Sequence, residues 1–144
     1  MATAHSWVFW AVLSAVFAAL TAIFAKIGIR DVDSDLATLV RTAIIIVTLF
    51  AFVWFTGKWS NPFKLSTKTW TFLTLSGLAT GASWVCYFRA LQLGDASKVA
   101  PIDKFSLVLV AVFAVIFLDE RPSNWDWAGI GLVASGVLLL AFKR

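Results

Sequence analysis

Five apolar segments, each close to the length of a membrane crossing, fill almost all of this chain of 144 residues. Because the hydrocarbon core of a bilayer is about 30 Å thick, a spanning helix needs roughly 20 mostly apolar residues. Backbone amides in lipid must be satisfied within the protein, which favours helices over open strands. We therefore predict an all-α integral membrane protein with a single domain over residues 1–144 and five transmembrane helices. These helices cover residues 6–25, 36–56, 69–93, 96–118 and 123–142.

The composition agrees with a membrane protein, so we expect membrane lipid as a partner of the chain. It argues against a soluble domain, a nucleic-acid-binding protein and an enzyme. Hydrophobic residues make up 60% of the chain, above the usual share for a soluble domain. The net charge of +4 is small and forms no basic stripe, so we expect no nucleic acid as a partner. One histidine and one cysteine cannot build a usual metal site, and no glycine-rich phosphate loop or nucleophile elbow occurs. We expect no metal, no cofactor and no enzymatic activity.

Polar turn residues separate the segments and can cap the helices that follow them. The side-chain oxygen of a capping residue accepts a hydrogen bond from a free amide of the first helical turn. Ser34 or Asp35 can cap the second helix in this way, and Asp95 can cap the fourth. Ser123 or Asn124 can cap the fifth.

The distribution of tryptophan and of basic residues bears on orientation. Seven of the eight tryptophans fall toward the N-terminal side of the membrane, as in the aromatic belt of a membrane interface. They are Trp7, Trp10, Trp54, Trp59, Trp70, Trp125 and Trp127. Outside the helix interiors, that side carries four basic residues and the opposite side carries five. Because the positive-inside rule needs a larger difference, we expect that the chain can insert in both orientations.

Four ionisable side chains, Arg41, Arg89, Asp103 and Lys104, lie inside the predicted helices. Each costs roughly 2.5–3.5 kcal/mol at the centre of a bilayer, so each needs a use or a partner. Snorkelling accounts for the two long arginines better than for Lys104 or the short Asp103. We predict that Asp103 and Lys104 face a wet cavity or polar interface, and the alternative is an ion pair between Asp103 and one of the arginines. As neighbours about 100° apart on a helix, Asp103 and Lys104 are poorly placed to pair with each other.

Other residues of the third and fourth segments support a polar pathway. Thr80, Trp84 and Tyr87 follow the i, i+4, i+7 spacing and share one helix face, which can line a cavity. The competing interpretation is close packing of the third helix through its small residues, and both can hold. Pro101 lies inside the fourth helix and frees a backbone carbonyl one turn back, near the charges.

Small residues along the fifth segment permit close contact between helices. Gly131 and Ser135 form a small-xxx-small pair, with Gly129 and Gly136 nearby. We predict that these residues form the contact between two protomers.

The second half of the chain carries a recurrent pattern of residues. Ala90–Pro101 contains an Ala-Leu pair, a glycine turn and a proline within the next helix, and a Glu-Arg pair follows in Leu118–Pro122. With the glycine-containing last helix, this pattern resembles one EamA-type repeat of the drug/metabolite transporter superfamily. The resemblance implies metabolite transport across the cytoplasmic membrane, which is the inner membrane in a bacterium. Most relatives fuse two repeats with inverted halves, so it also implies that a single repeat pairs as an antiparallel homodimer.

From these features we expect a secondary transporter that moves a small metabolite by alternating access. Arg41, Arg89 and Lys104 against Asp103 leave a charge of +2 per protomer at depth, which favours an anionic or zwitterionic substrate. A lipid-linked phosphate is a variant of that substrate. The alternative is a non-transporting membrane subunit or half-transporter that pairs with a paralogous partner. Small multidrug-resistance relatives bind cations with a carboxylate in the first helix, and this chain has none there.

The predicted substrate site comprises Arg41, Trp84, Tyr87, Arg89, Asp103 and Lys104. Arg41 and Lys104 would hold the anionic group of the substrate. Trp84 and Tyr87 would line an apolar wall. Asp103 would keep a cation ordered, bind a substrate amine or carry a proton.

Overall fold

The computed structural model of the protein describes residues 6–142, and its regular secondary structure over that range is entirely helical. The helices are α1 Ser6–Gly28, α2 Ser34–Phe55, α3 Thr67–Leu93, α4 Ala96–Asp103, α5 Ser106–Leu118 and α6 Asn124–Phe142. A short 3₁₀ turn, Pro62–Lys64, lies between α2 and α3. The predicted all-helical class is confirmed.

Four stretches of the described chain are long and apolar enough to cross a bilayer. They are Trp7–Gly28, Ser34–Phe55, Ala96–Leu118 and Asn124–Phe142. Large apolar side chains such as Phe17, Ile44 and Leu139 are exposed on these helices, as lipid-facing residues are. The third predicted crossing, α3, is not among the four, because threonine and serine recur along its length and lower its mean hydropathy.

The fourth predicted helix is interrupted, although a continuous helix was predicted over residues 96–118. Its first part, α4, ends at Asp103, and α5 begins at Ser106. Pro101 has no N–H to donate and its ring disturbs the preceding turn, so the helix tightens after it. The N–H of Lys104 donates to the carbonyl of Pro101 and that of Phe105 to Ile102, both at 3.0 Å. These i→i−3 bonds keep the N–H groups of Lys104 and Phe105 satisfied across the interruption.

Contacts between residues divide the chain into two compact units. The first unit is Phe24–Gln92, which contains α2 and nearly all of α3. Its most buried side chains are Leu91, Phe88 and Ile29, with 0%, 2% and 3% of their surface exposed. The second unit comprises the described parts of residues 1–23 and 93–144, and within it α6 packs against α4 and α5. The single domain over residues 1–144 stays a prediction.

The cap of α2 is Asp33, so the prediction of Ser34 or Asp35 was wrong. The Oδ1 atom of Asp33 accepts hydrogen bonds from the backbone N–H groups of Asp35 at 2.9 Å and Leu36 at 3.0 Å. The helix begins at Ser34, earlier than the apolar pattern indicated, and the capping position moves back with it.

The two later caps differ from each other. Ser123 caps α6 as predicted, because its Oγ accepts from the N–H of Asp126 at 3.3 Å while its own N–H donates to Asp126 Oδ2 at 2.8 Å. Asp95 occupies the capping position of α4, but its carboxylate makes no capping bond. That carboxylate instead lies 3.3 Å from Lys98 Nζ.

We expect Asp33→Ala to lower the free energy of unfolding by about 1 kcal/mol, because two amides of the first turn of α2 lose their acceptor. The measurement is thermal or denaturant unfolding of the detergent-solubilised chain. Asp31→Ala removes a carboxylate from the same turn without removing the cap, and it should leave stability unchanged. Equal destabilisation by both variants would contradict the assignment of the cap.

Candidate functional site

Arg41 on α2 lies against the aromatic face of α3. Its guanidinium carbon is 4.3 Å from the centre of the Trp84 ring and 5.4 Å from that of Phe88. Trp84 and Phe88 are one helical turn apart, so they present adjacent rings to the same cation. Arg41 and Trp84 are half-buried and Phe88 is buried. The structure thus brings together two residues of the predicted site and adds Phe88, which sequence reasoning missed.

Arg89 forms an ion pair with Asp35, which was predicted as a possible cap of the second helix. Its Nη2 lies 2.6 Å from Asp35 Oδ2, and its Nε donates to Asp35 Oδ1 at 3.1 Å. This two-point contact uses the fork of the guanidinium against both carboxylate oxygens. The pair follows from the antiparallel register of α2 and α3, which the apolar pattern of the sequence does not encode. With Arg41 opposite Trp84, moving toward the start of α2 and the end of α3 brings Asp35 opposite Arg89.

Two further polar contacts hold the end of α3 against the α1–α2 turn. Gln92 Nε2 donates to the carbonyl of Val32 at 2.7 Å, and Lys26 Nζ donates to the carbonyl of Leu91. Leu91 lies in the last turn of α3, where carbonyls lack the usual helical donor, and Val32 lies outside the helices. Sequence reasoning missed them, since a glutamine and a lysine near helix ends carry no specific signal. They fix the end of α3 on which Trp84 and Arg89 lie.

Asp103 and Lys104 pair with each other, contrary to the prediction. Lys104 Nζ lies 3.3 Å from Asp103 Oδ2. The prediction assumed a continuous helix, but α4 ends at Asp103 and Lys104 belongs to the tightened turn, so the two side chains can converge. The ion pair from Asp103 to Arg41 or Arg89 is not among those that residues 6–142 form.

Tyr87 and Thr80 complete the predicted face of α3. Tyr87 is half-buried, with its ring centre 6.5 Å from that of Phe88. The hydroxyl of Thr80 donates to the carbonyl of Ser76 at 2.8 Å, so its own helix satisfies it. Of this face, the aromatic members are therefore the ones that contact other side chains.

The charge balance of the deep residues differs from the expectation. With Asp35 included, three cations meet two carboxylates, which leaves +1 rather than +2 per protomer. Arg89 and Lys104 each have a carboxylate partner. Arg41 makes no ion pair with any described residue, and aromatic rings face it instead.

A family profile of EamA-like transporters matches residues 5–142 of the chain. The chain belongs to the EamA-like transporter family. The resemblance found in the sequence is confirmed, and so is the placement of the chain as an integral, multi-pass membrane protein. The family is one of transporters rather than enzymes.

Individual relatives agree with this family. An uncharacterized transporter encoded in the cobO 3′ region of Sinorhizobium sp. is 56% identical over 137 residues, which cover 95% of this chain and 97% of that protein. The uncharacterized transporter YxxF of Bacillus subtilis is 26% identical over 140 residues, and the chain spans only 43% of its length. A probable 4-amino-4-deoxy-L-arabinose-phosphoundecaprenol flippase subunit, ArnE of Hamiltonella defensa, is 31% identical over 85 residues, 59% of this chain and 75% of that protein. No solved structure matches the chain.

The small residues predicted as a contact of this EamA-like chain lie on two faces of α6. At about 100° per residue, Gly129 and Gly131 are roughly 200° apart, whereas Gly136 returns close to Gly129. Gly129 faces α5, where it lines a groove. Gly131 and Ser135 share the other face, and both are exposed. Ser135 Oγ donates to the carbonyl of Gly131 at 2.8 Å, so that face presents no unsatisfied hydroxyl.

We expect the Asp35–Arg89 pair to stabilise the first unit rather than to bind substrate. Asp35→Leu and Arg89→Met should each lower the melting temperature of the detergent-solubilised protein, because each leaves the other charge unpaired. The double variant Asp35→Leu/Arg89→Met should recover part of the loss, since no lone charge remains. Strictly additive losses in the double variant would show that the two side chains do not interact.

Proposed function

We propose that the protein is a secondary transporter that moves a small metabolite with an anionic or zwitterionic group across the cytoplasmic membrane. Membership of a transporter family supports transport. The charge preference rests on one observation, the half-buried Arg41 that lies over Trp84 without a carboxylate partner among the described residues.

The position of Arg41 over the Trp84 ring, with its guanidinium carbon 4.3 Å from the ring centre, suits it to bind an oxyanion. A guanidinium over a ring uses its face for the cation–π contact, and its five N–H donors point outward in the guanidinium plane. Those donors match the two oxygens of a carboxylate or phosphate. An unpaired arginine at depth in a membrane is costly, and aromatic contact offsets only part of that cost. Binding an anion would therefore stabilise Arg41 more than it would stabilise an arginine that already has a carboxylate partner.

The other residues of the predicted site take different parts in this proposal. Trp84 and Tyr87 line the apolar wall beside Arg41. Arg89 acts through its pair with Asp35, which positions α3 against α2, and does not contact the substrate. Asp103 and Lys104 form a second polar element, at the helix break, that takes a cation, a substrate amine or a proton. Substrate binding then shifts the population between two states of opposite access.

We expect Arg41→Met to abolish stabilisation by an anionic ligand. The experiment is a thermal-shift screen of the purified protein in detergent against small carboxylates and phosphomonoesters. A ligand that raises the melting temperature of the wild type should bind Arg41→Met at least about tenfold more weakly, because a charge-assisted contact is lost. Arg41→Lys keeps the charge but not the planar fork, so its affinity should lie between the two.

Lys58→Met is the matched control, since Lys58 lies exposed in the turn after α2. It removes one positive charge from the chain and should bind the same ligand as the wild type does. Unchanged affinity in Arg41→Met, or equal loss in Lys58→Met, would contradict an anion site at Arg41.

For the assembly we propose an antiparallel homodimer. Each protomer crosses the membrane five times, because α3 crosses in addition to the four apolar stretches. An inverted pair of single repeats reproduces the two inverted halves of fused transporters. The nearly equal numbers of basic residues on the two sides support insertion in both orientations. The Sinorhizobium relative, matched over 97% of its length, is also of single-repeat size.

A second candidate, a half-transporter that pairs with a paralogue, is favoured by a different observation. The ArnE relative of Hamiltonella defensa carries the word subunit in its name. An antiparallel homodimer requires that one chain be found in both orientations, whereas a heterodimer needs a single orientation for each partner.

We propose Gly131 and Ser135 as the contact between protomers, because they form the exposed small-residue face of α6. Gly131→Leu should shift the protein from dimer to monomer in mild detergent, since a large side chain separates the two helices. Gly131→Ala should have a smaller effect. Size-exclusion chromatography with light scattering measures both, and an unchanged dimer in Gly131→Leu would place the contact elsewhere.

A further inference from the structure

A groove of about 780 Å³ lies between α5 and α6 in the second unit. Its walls are apolar, formed by Leu107, Val110 and Ala114 from α5 and by Gly129 and Val133 from α6. A Cβ atom added to Gly129 would meet nothing within 4 Å, so the open space reaches the backbone of α6. This groove includes no residue of the predicted substrate site.

The mouth of the groove carries three charged groups, the carboxylates of Glu120 and Asp126 and the guanidinium of Arg121, and Ser123 hydrogen-bonds the Asp126 carboxylate. Asp119, which follows the last residue of α5, adopts the left-handed conformation with φ 53°. The N–H of the next residue, Glu120, donates to the carbonyl of Ala114 at 3.2 Å. This turn brings Glu120 and Arg121 to the groove, where both are exposed. Neither forms an ion pair with a described residue. The carboxylate of Glu120 and the guanidinium of Arg121 are therefore accessible to a ligand at the end of the apolar groove.

The length of the groove corresponds to one leaflet of a bilayer. From Leu107 to the end of α5 at Leu118 the helix rises roughly 16 Å, and half of the hydrocarbon core is about 15 Å. The charges of the turn 119–121 belong at the membrane–water interface, and Trp125 beside them is 87% exposed, as residues of an aromatic belt are. The apolar part of the groove then runs from the headgroup level toward the middle of the bilayer.

We propose that this groove binds one phospholipid with a zwitterionic headgroup of the phosphatidylethanolamine type. One acyl chain lies along the apolar wall past Gly129. The guanidinium of Arg121 binds the phosphodiester, and the carboxylate of Glu120 binds the ammonium group. An anionic headgroup without an amine would meet Glu120 unfavourably, so the groove prefers the zwitterionic lipid.

The test is native mass spectrometry of the full chain, delipidated in detergent and titrated with palmitoyl-oleoyl phosphatidylethanolamine or phosphatidylglycerol. The wild type should retain one phosphatidylethanolamine per protomer in preference to phosphatidylglycerol. Arg121→Gln should weaken binding of phosphatidylethanolamine about tenfold, as expected for loss of a charge-assisted contact, and Arg121→Lys should restore part of it. Glu120→Gln should reduce the preference between the two lipids.

Gly129→Leu and Gly131→Leu form a matched pair on opposite faces of α6. Gly129→Leu fills the groove, so it should lose the lipid and keep the dimer, whereas Gly131→Leu should keep the lipid. Circular dichroism and melting temperature confirm that each variant is folded, and Gly129→Ala serves as the milder substitution if Gly129→Leu is not. Equal retention of lipid by wild type, Arg121→Gln and Gly129→Leu overturns the proposal. So does loss of the dimer in Gly129→Leu, which would assign the groove to a second copy of the chain.

Discussion

Peptide groups inside hydrocarbon have no water to bind, and most of this structure follows from that requirement. Every crossing is helical, and several hydroxyl side chains donate to carbonyls of their own helix. Thr38, Thr42 and Thr48 bind the carbonyls four residues earlier at 2.8, 2.7 and 2.8 Å. Even at the interruption after Pro101, the N–H groups of Lys104 and Phe105 stay bonded by closing shorter turns. Polar groups that cannot be satisfied in this way are the ones that need partners from another helix.

The two deep arginines of the first unit show two ways of meeting that need. Arg89 is neutralised by a carboxylate, and together with Gln92 it ties the end of α3 to the region where α2 begins. Arg41 is accommodated by the faces of Trp84 and Phe88, which carry no full charge. A counter-ion satisfies a guanidinium at its edge, where its donors are, whereas a ring occupies only its face. The difference in partner is the physical basis for assigning one arginine to stability and proposing the other for binding.

The helices and the membrane setting could be predicted from the sequence, because length and apolar content are local properties. The interruption at Lys104 could have been predicted, since the sequence places Pro101 inside the helix. How far a proline disturbs a helix depends on which of the following turns can tighten. The pairing of Asp35 with Arg89 depends on the register between two helices, which hydropathy does not encode. The same holds for Phe88, because its ring contacts Arg41 only when α2 and α3 are packed together. The two faces of α6 follow from helical geometry alone, whereas the groove beside Gly129 required the position of α5.

The position of the single cysteine gives α3 a built-in probe. Cys86 is exposed, and it precedes Arg89 by three residues, so the two side chains share one face of the helix. The thiolate is the nucleophile that attacks thiol reagents, and it forms where water reaches the sulfur and not in hydrocarbon. Since no cysteine has to be removed or introduced, a charged, membrane-impermeant reagent applied to the unaltered chain reports whether lipid or water covers that face.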